Sequence, residues 1–193
     1  MSSASDEIRR QLHESARVKE SFSEQLIQRI ADFAEKCAAC LKAGGKIVFF
    51  GNGGSAADAQ HLAAELVVKL GSDRPSLAAL ALTTNSSVLT AAGNDYGFEQ
   101  IFARQIESLV LSKDVLVALS TSGSSPNIVR GVETGRRRGA YVVALTGETG
   151  GTLVDKVDLL LNVPSRDPQR IQESHITIGH IVCALIERLI TGH

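Results

Sequence analysis

His61 and Glu65 stand four residues apart in the stretch Gly51-Asn-Gly-Gly-Ser-Ala-Ala-Asp-Ala-Gln-His61-Leu-Ala-Ala-Glu65. On a helix that spacing leaves them about 40° apart around the axis, so an imidazole and a carboxylate can converge on one target. The glycine turn ahead of them follows an apolar run, Lys46-Ile-Val-Phe-Phe50. A glycine turn at a helix N-terminus offers free backbone N–H groups and the positive end of a dipole, which suits an anion. One segment therefore supplies an anion cradle, a candidate base and two candidate metal ligands. The same pattern also arises for geometric reasons alone, as a tight turn followed by a solvated His–Glu pair. A dinucleotide fingerprint is the other rival, because Gly51, Gly53 and Ala56 satisfy G-x-G-x-x-A. That motif needs an acidic residue about 20 positions on to hold the ribose. The next apolar run, Leu77 to Leu82, leads instead into Thr83, Thr84 and Asn85, which argues against a nicotinamide or flavin site.

A second cradle follows the run Asp114-Val-Leu-Val-Ala-Leu119, in Ser120-Thr-Ser-Gly-Ser-Ser-Pro-Asn127. Pro126 suits the first turn of a helix and Ser125 its N-cap. Capping needs one hydroxyl, whereas Ser120, Thr121, Ser122, Ser124 and Ser125 supply five. Several hydroxyls, local N–H groups and a helix dipole can bind a phosphate dianion without arginine or lysine.

The elements that position these loops follow from periodicity. Ile8, Leu12, Ala16 and Val18 form a loose stripe, and Leu26, Ile30, Phe33, Cys37 and Leu41 follow a helical period. Residues 1–43 thus read as a helical hairpin, closed by Gly44-Gly45, preceding a sandwich over 44–193 in one domain. The hairpin could cover a sheet edge or pack against another subunit, and we expect the second. Beyond it, strands are expected at 46–50, 77–82, 115–119, 141–145 and 158–163. Helices are expected at 55–69, 86–92, 98–110, 126–138 and 152–156, with a final helix to about 190. Short, continuously apolar strands alternating with helices imply a three-layer α/β/α sandwich around a five-stranded parallel sheet. Ligands in such sheets bind beyond the carboxyl ends of the strands, where both loops fall. The loop Gly147 to Gly151 reads as a turn.

Composition narrows the function. Lysine and arginine number 20 against 21 aspartate and glutamate, with no tryptophan and 4% aromatic residues. No strong field invites nucleic acid or an anionic membrane, and little is available to stack bases. Neither a signal peptide nor an apolar run of membrane-spanning length is apparent, and a cytoplasmic protein is expected. Arg136-Arg-Arg138 reads as a helix C-terminus complementing its dipole. Cys37 and Cys40 lie mid-helix, away from the helix N-terminus that a redox pair would use, and read as buried apolar residues.

Together these motifs are similar to the SIS (sugar isomerase) domain family. More narrowly, GNGGSAADAQHLAAE, Gly93-Asn-Asp-Tyr-Gly97, STSGSSPN and Arg170-Ile-Gln-Glu173 resemble the bacterial phosphoheptose isomerases. The resemblance runs over nearly the whole chain. It implies the SIS fold with an N-terminal helical extension and a homotetramer. The implied reaction interconverts D-sedoheptulose 7-phosphate and D-glycero-D-manno-heptose 7-phosphate, for lipopolysaccharide core or other surface glycans. It further implies substrate contacts from Asn52, Gly53, Gly54, Ser55, Glu65, Asn94, Asp95, Ser120, Thr121, Ser122, Ser125 and Gln172. One zinc ion per subunit would be held by His61, Glu65, Gln172 and His180. Some proteins resembling the family are non-catalytic tetramers that bind a replication initiator and are expected to lack the acid–base pair, which this chain retains. Others are sugar-phosphate-sensing regulators, but no DNA-binding segment accompanies the sandwich here.

Isomerisation through an enediol needs a base on a C–H next to a carbonyl and an acid or polariser at the oxygens. Glu65 is the candidate base and His180 its acid–base partner, and Glu65 competes with itself for the role of zinc ligand. Gln172 and His180 are eight residues apart, about 12 Å along a straight helix. Either Gln172 lies in a loop before that helix, or one of the two reaches the ion from a neighbouring subunit. No role is assigned to Asp167, and packing or surface roles are expected for His175 and His193.

Overall fold

The computed structural model describes residues 3–71 and 73–192, so His193 lies outside the described residues. Two helices come first, α1 (Ala4–Glu20) and α2 (Glu24–Lys42). The sandwich then runs β1 (Ile47–Gly51), α3 (Gly54–Val67), β2 (Ala79–Ala81), α4 (Ser86–Tyr96), α5 (Ala103–Leu109), β3 (Val115–Leu119), α6 (Pro126–Arg137), β4 (Tyr141–Thr146), β5 (Leu159–Asn162) and α7 (Pro168–Thr191). All strand pairs are parallel, in the order β2-β1-β3-β4-β5. The expected helices 98–110 and 152–156 are shorter: 3-10 turns occupy Phe98–Gln100 and Gly151–Leu153. The N-terminal part of the expected strand at 77–82 does not pair, and only its last residues join the sheet edge.

Strand side chains alternate between two cores, as the pleat requires. Ile47, Phe49, Val115, Val117, Leu119, Val143 and Leu145 face α2, α3 and α7. Val48, Phe50, Leu116, Ala118, Val142 and Ala144 face α5 and α6. The central strands are therefore nearly all apolar, since both of their faces are covered, and the buried polar residue Thr146 closes β4 at its carboxyl end.

Of the two helices read as an extension, α2 is part of the sandwich. Leu26, Ile30, Phe33, Ala34 and Cys37 are buried in the first core, packed against α7 and the sheet. Only α1 stands outside, with Ile8 59% and Leu12 66% exposed. Buried Arg170 docks it, donating from Nη1 to the Gln11 carbonyl at 2.9 Å. All three cysteines are buried and free. By length and composition α7 could cross a membrane; it is the core helix over the sheet, which explains its apolar run.

His175 lies inside α7, fully buried, with Nε2 bonded to the Thr146 carbonyl at 3.2 Å and Nδ1 without a partner. Burial pushes this imidazole down to about 4 from 6.5, against the opposing pull of that hydrogen bond. The unfolded chain therefore binds the proton first. The stability contribution is complete above about pH 6.5 and is lost as pH falls toward 4, by on the order of 3 kcal/mol. The thermal midpoint should fall less across this window in His175→Met than in the wild type. Identical acid slopes would show that another group governs the loss.

Candidate active site

In the strand order β2-β1-β3-β4-β5 the chain reverses direction between β1 and β3, and the crevice at such a switch point is where open α/β sheets bind ligands. Gly51 pairs with Leu119 at the carboxyl end of these strands. The glycine turn and the serine loop therefore start side by side.

Glycine is required at the first turn on two counts. A Cβ on Gly51 would lie 2.8 Å from Ser55 Cβ and 2.9 Å from the Leu119 carbonyl oxygen. Gly53, the N-cap of α3, has φ +56°, with no atom within 4 Å of where a Cβ would stand. The backbone is thus bent away from the strand and open to a ligand. Ser3, Ser23, Asn85 and Asp167 cap α1, α2, α4 and α7 with their side chains. The helices α3 and α6 carry no side-chain cap. Ser125 occupies the expected N-cap position of α6, yet its hydroxyl makes no capping bond. Both of these N-termini flank the crevice; α5, which follows directly on a 3-10 turn, is a third helix without a side-chain cap.

Within the serine loop, Ser120 Oγ accepts from the Gly123 N–H and Ser122 Oγ from the Ser124 N–H, both at 3.2 Å. Each hydroxyl proton remains able to donate outward. The loop is braced from two sides. Asn52 and Asn127 exchange paired amide hydrogen bonds of 2.9 and 2.8 Å, which tie the glycine turn to the serine loop. Gly147 N–H donates to the Thr121 carbonyl at 3.0 Å, and Thr152 N–H to Ser124 Oγ at 3.3 Å. The loop expected to be a simple turn thus buttresses the serine loop. A Cβ on Gly123 would stand 2.1 Å from the Gly150 carbonyl oxygen, so the two loops meet backbone to backbone.

His61, Glu65 and His180 come together. His61 Nε2 lies 2.8 Å from His180 Nε2 and 3.2 Å from Glu65 Oε1, and one ligand atom from each falls within 4.8 Å of the others. Helices α3 and α7 make this possible by running side by side. A Cβ on Gly179, the residue before His180, would stand 2.5 Å from Leu62 Cδ2 and 3.1 Å from Leu62 Cγ. A side chain at 179 would have to displace Leu62 at this crossing. Asp58, one turn before His61, has a buried oxygen without a partner. Burial raises its pKa, and the neighbouring His61 and His180 pull it back down.

Gln172 sits apart from this cluster. It belongs to the same continuous helix as His180, capped at Asp167 by a 2.8 Å bond from the Gln169 N–H. That excludes a loop position, and it gives Asp167 a capping role. The Gln172 amide lies over Gly54 at the start of α3, 2.8 Å from where a Cβ would be, so within one chain it faces the glycine turn. Asn94 and Asp95 are exposed near the end of α4 and hydrogen-bond each other at 2.7 Å. Asp95 lines a cleft of about 630 Å³ with Leu80, Tyr96 and Arg104 at the β2 edge, away from the serine loop. The brace from Asn127 and the carboxylate of Asp58 are the parts that residue types and spacing did not single out. The position of Asp58 three residues before His61 was the available signal.

A sequence model of the SIS domain matches residues 11–147. Phosphoheptose isomerase of Geobacter metallireducens is 52% identical over 183 residues, covering 95% of this chain and 97% of that protein. The Aquifex aeolicus phosphoheptose isomerase is 48% identical, covering 96% and 97%. The solved phosphoheptose isomerase of Francisella tularensis superposes with a TM-score of 0.93 at 38% identity, covering 97% of this chain and 100% of that one. The chain belongs to the SIS domain family and, within it, groups with the phosphoheptose isomerases.

The close crossing at Gly179 is testable. Gly179→Ala gains about 1 kcal/mol of helix propensity and loses about 1–3 kcal/mol to overpacking, so the fold should survive. Pushing α3 from α7 separates His61 from His180, and turnover should drop on the order of 100-fold, as for a 1 Å misplacement. Wild-type turnover in Gly179→Ala would mean the crossing does not set the cluster.

Proposed function

We infer that the protein is an aldose–ketose isomerase that interconverts D-sedoheptulose 7-phosphate and D-glycero-D-manno-heptose 7-phosphate. The observation that carries this reading is the convergence of His61, Glu65 and His180 beside two uncapped helix N-termini. The retained acid–base pair speaks against the non-catalytic, initiator-binding alternative.

The phosphate would sit in the serine loop, held by the hydroxyls of Ser120, Thr121, Ser122 and Ser125 and by the open N-terminus of α6. The sugar would extend across Gly53, Gly54 and Ser55 toward Gln172, with its carbonyl end at His61, Glu65 and His180. Glu65 takes the proton from the carbon next to the carbonyl and returns it to the neighbouring carbon. His180 moves the proton between the two oxygens, so that charge never accumulates on the enediol. Two imidazoles and a carboxylate around one point suit zinc, with Asp58 close enough to orient a histidine. A zinc ion held there would polarise the substrate carbonyl.

Assembly supports the same reading. The rise along α7 keeps Gln172 from joining the cluster of its own chain, and Asn94 and Asp95 face away from it. A homotetramer, in which a second copy brings such residues to each site, accounts for both. Exposed Ile8 and Leu12 on α1, Tyr96 at the end of α4 and Phe98 just after it are the apolar surface it would cover. The expected setting is the cytoplasm, in synthesis of surface-glycan heptose.

An assay on sedoheptulose 7-phosphate should show isomerisation with about one zinc per subunit, and His61→Ala should lose the metal. Activity that survives complete chelation would remove zinc from the chemistry and leave Glu65 as a free base. Ser125→Ala separates phosphate binding from capping. With no cap bond to lose, its melting temperature should match the wild type. Its KM should rise roughly tenfold, since a hydrogen bond to a charged group contributes about 1.5–3 kcal/mol. An unchanged KM would exclude Ser125 from the phosphate site.

A further inference from the structure

Two opposite charges are buried where α3 ends, and the chemistry described so far has no use for them. The side chains of Arg74 and Glu187 are 1% and 6% exposed, with Nη2 2.9 Å from Glu187 Oε1. Arg74 Nε donates to the same oxygen at 2.9 Å. The guanidinium also closes the helix end: Nη1 donates to the Leu66 carbonyl at 2.8 Å and Nη2 to the Glu65 carbonyl at 2.9 Å. Glu187 accepts from the N–H groups of Leu70 at 2.9 Å and Gly71 at 3.2 Å. The last carbonyls of a helix have no partners of their own, and α3 has no basic residue in its last turn. Arg74 returns from beyond the helix to supply them.

A buried ion pair is a weak source of stability, because desolvation offsets the attraction and apolar replacements are often neutral. Its position is more informative. One partner is bonded to the backbone of Glu65 itself. The other is carried by α7 seven residues after His180, two turns farther along the same helix. Together with Gln172 over Gly54 and Gly179 against Leu62, it completes a row of contacts that sets α3 against α7 along its whole length. The glycine crossing fixes how closely the helices approach. A guanidinium held at once by one oxygen of Glu187 and by two carbonyls at the end of α3 fixes how far one slides or turns on the other.

We propose that Arg74 and Glu187 form a positioning clamp for the reaction centre, holding α3 in register with α7 so that His61, Glu65 and His180 converge. The pair touches neither substrate nor metal. The inference rests on the reading of that cluster as the centre of the isomerase.

The test uses the full-length protein with Arg74→Met, which keeps the apolar stem and removes the fork, and Arg74→Lys, which keeps the charge. Zinc affinity is measured by chelator competition, geometry at the cluster by the visible spectrum of the cobalt(II)-loaded protein, and the serine loop by binding of inorganic phosphate. With secondary structure and oligomeric state matching the wild type, Arg74→Met should bind zinc at least about tenfold more weakly. Its cobalt spectrum should change and its turnover fall, while phosphate affinity stays within about twofold and Arg74→Lys falls between. Wild-type zinc affinity and cobalt spectrum in Arg74→Met would overturn the proposal. So would parallel losses of zinc and phosphate affinity, which would mark a general loosening. If Arg74→Met does not fold, Glu187→Gln, which keeps an acceptor for the Leu70 and Gly71 amides, is judged by the same outcomes. A wild-type protein with neither zinc nor isomerase activity would overturn the function and the clamp together, whereas an active wild type with unaffected variants overturns the clamp alone.

Discussion

Everything in the site depends on how closely α3 can lie on α7. The two helices share a face of the sheet and bring their ligand-bearing residues to one point because Gly179 offers no side chain to Leu62. A larger residue would press on the Leu62 side chain, and the 2.8 Å between the Nε2 atoms of His61 and His180 would shift with the repacking. A small apolar cavity lined by Leu62, Gly179 and Cys183 lies beside the crossing, so part of such a change is taken up there and the rest reaches the helices. The site is therefore a consequence of a core contact, and its chemistry is inherited from the sandwich beneath it.

The second dependence is on unsatisfied backbone. Parallel sheets place helix N-termini at the carboxyl ends of their strands, and this chain leaves two of them uncapped at the switch point. An anion completes what capping would otherwise complete. No lysine or arginine is needed in the serine loop, which fits a chain of nearly balanced charge. In the proposed reading, hydroxyls and N–H groups would hold the phosphate at the serine loop and α6, and proton transfer would take place between α3 and α7.

Much of this was legible from residue order, and what was not has a common cause. Continuous apolar runs identified the strands, because burial on both faces admits few polar residues, Thr146 at the end of β4 among them. Periodicity showed that α2 has a face to hide but not what covers it, and the sheet turned out to be the cover. Asp167 followed by Pro168 is a helix-start signal, and it places Gln172 inside α7 in the structure. Asn52 meets Asn127 across 75 residues and Arg74 meets Glu187 across 113. Such partners have no local signature, because only the folded topology makes them neighbours. The glycine turn and serine loop were readable since their hydroxyls and glycines exceed what turns and caps require.

The central claim is that Glu65 moves the substrate proton, and exchange with solvent tests it most directly. In D₂O the wild-type protein should incorporate deuterium at the substrate carbon next to the carbonyl, as followed by NMR. In Glu65→Gln, with fold and assembly intact, that exchange should slow by about 10²–10⁴-fold, the range for removing a positioned base. Exchange at the wild-type rate in Glu65→Gln would contradict the account, even if net isomerisation had stopped.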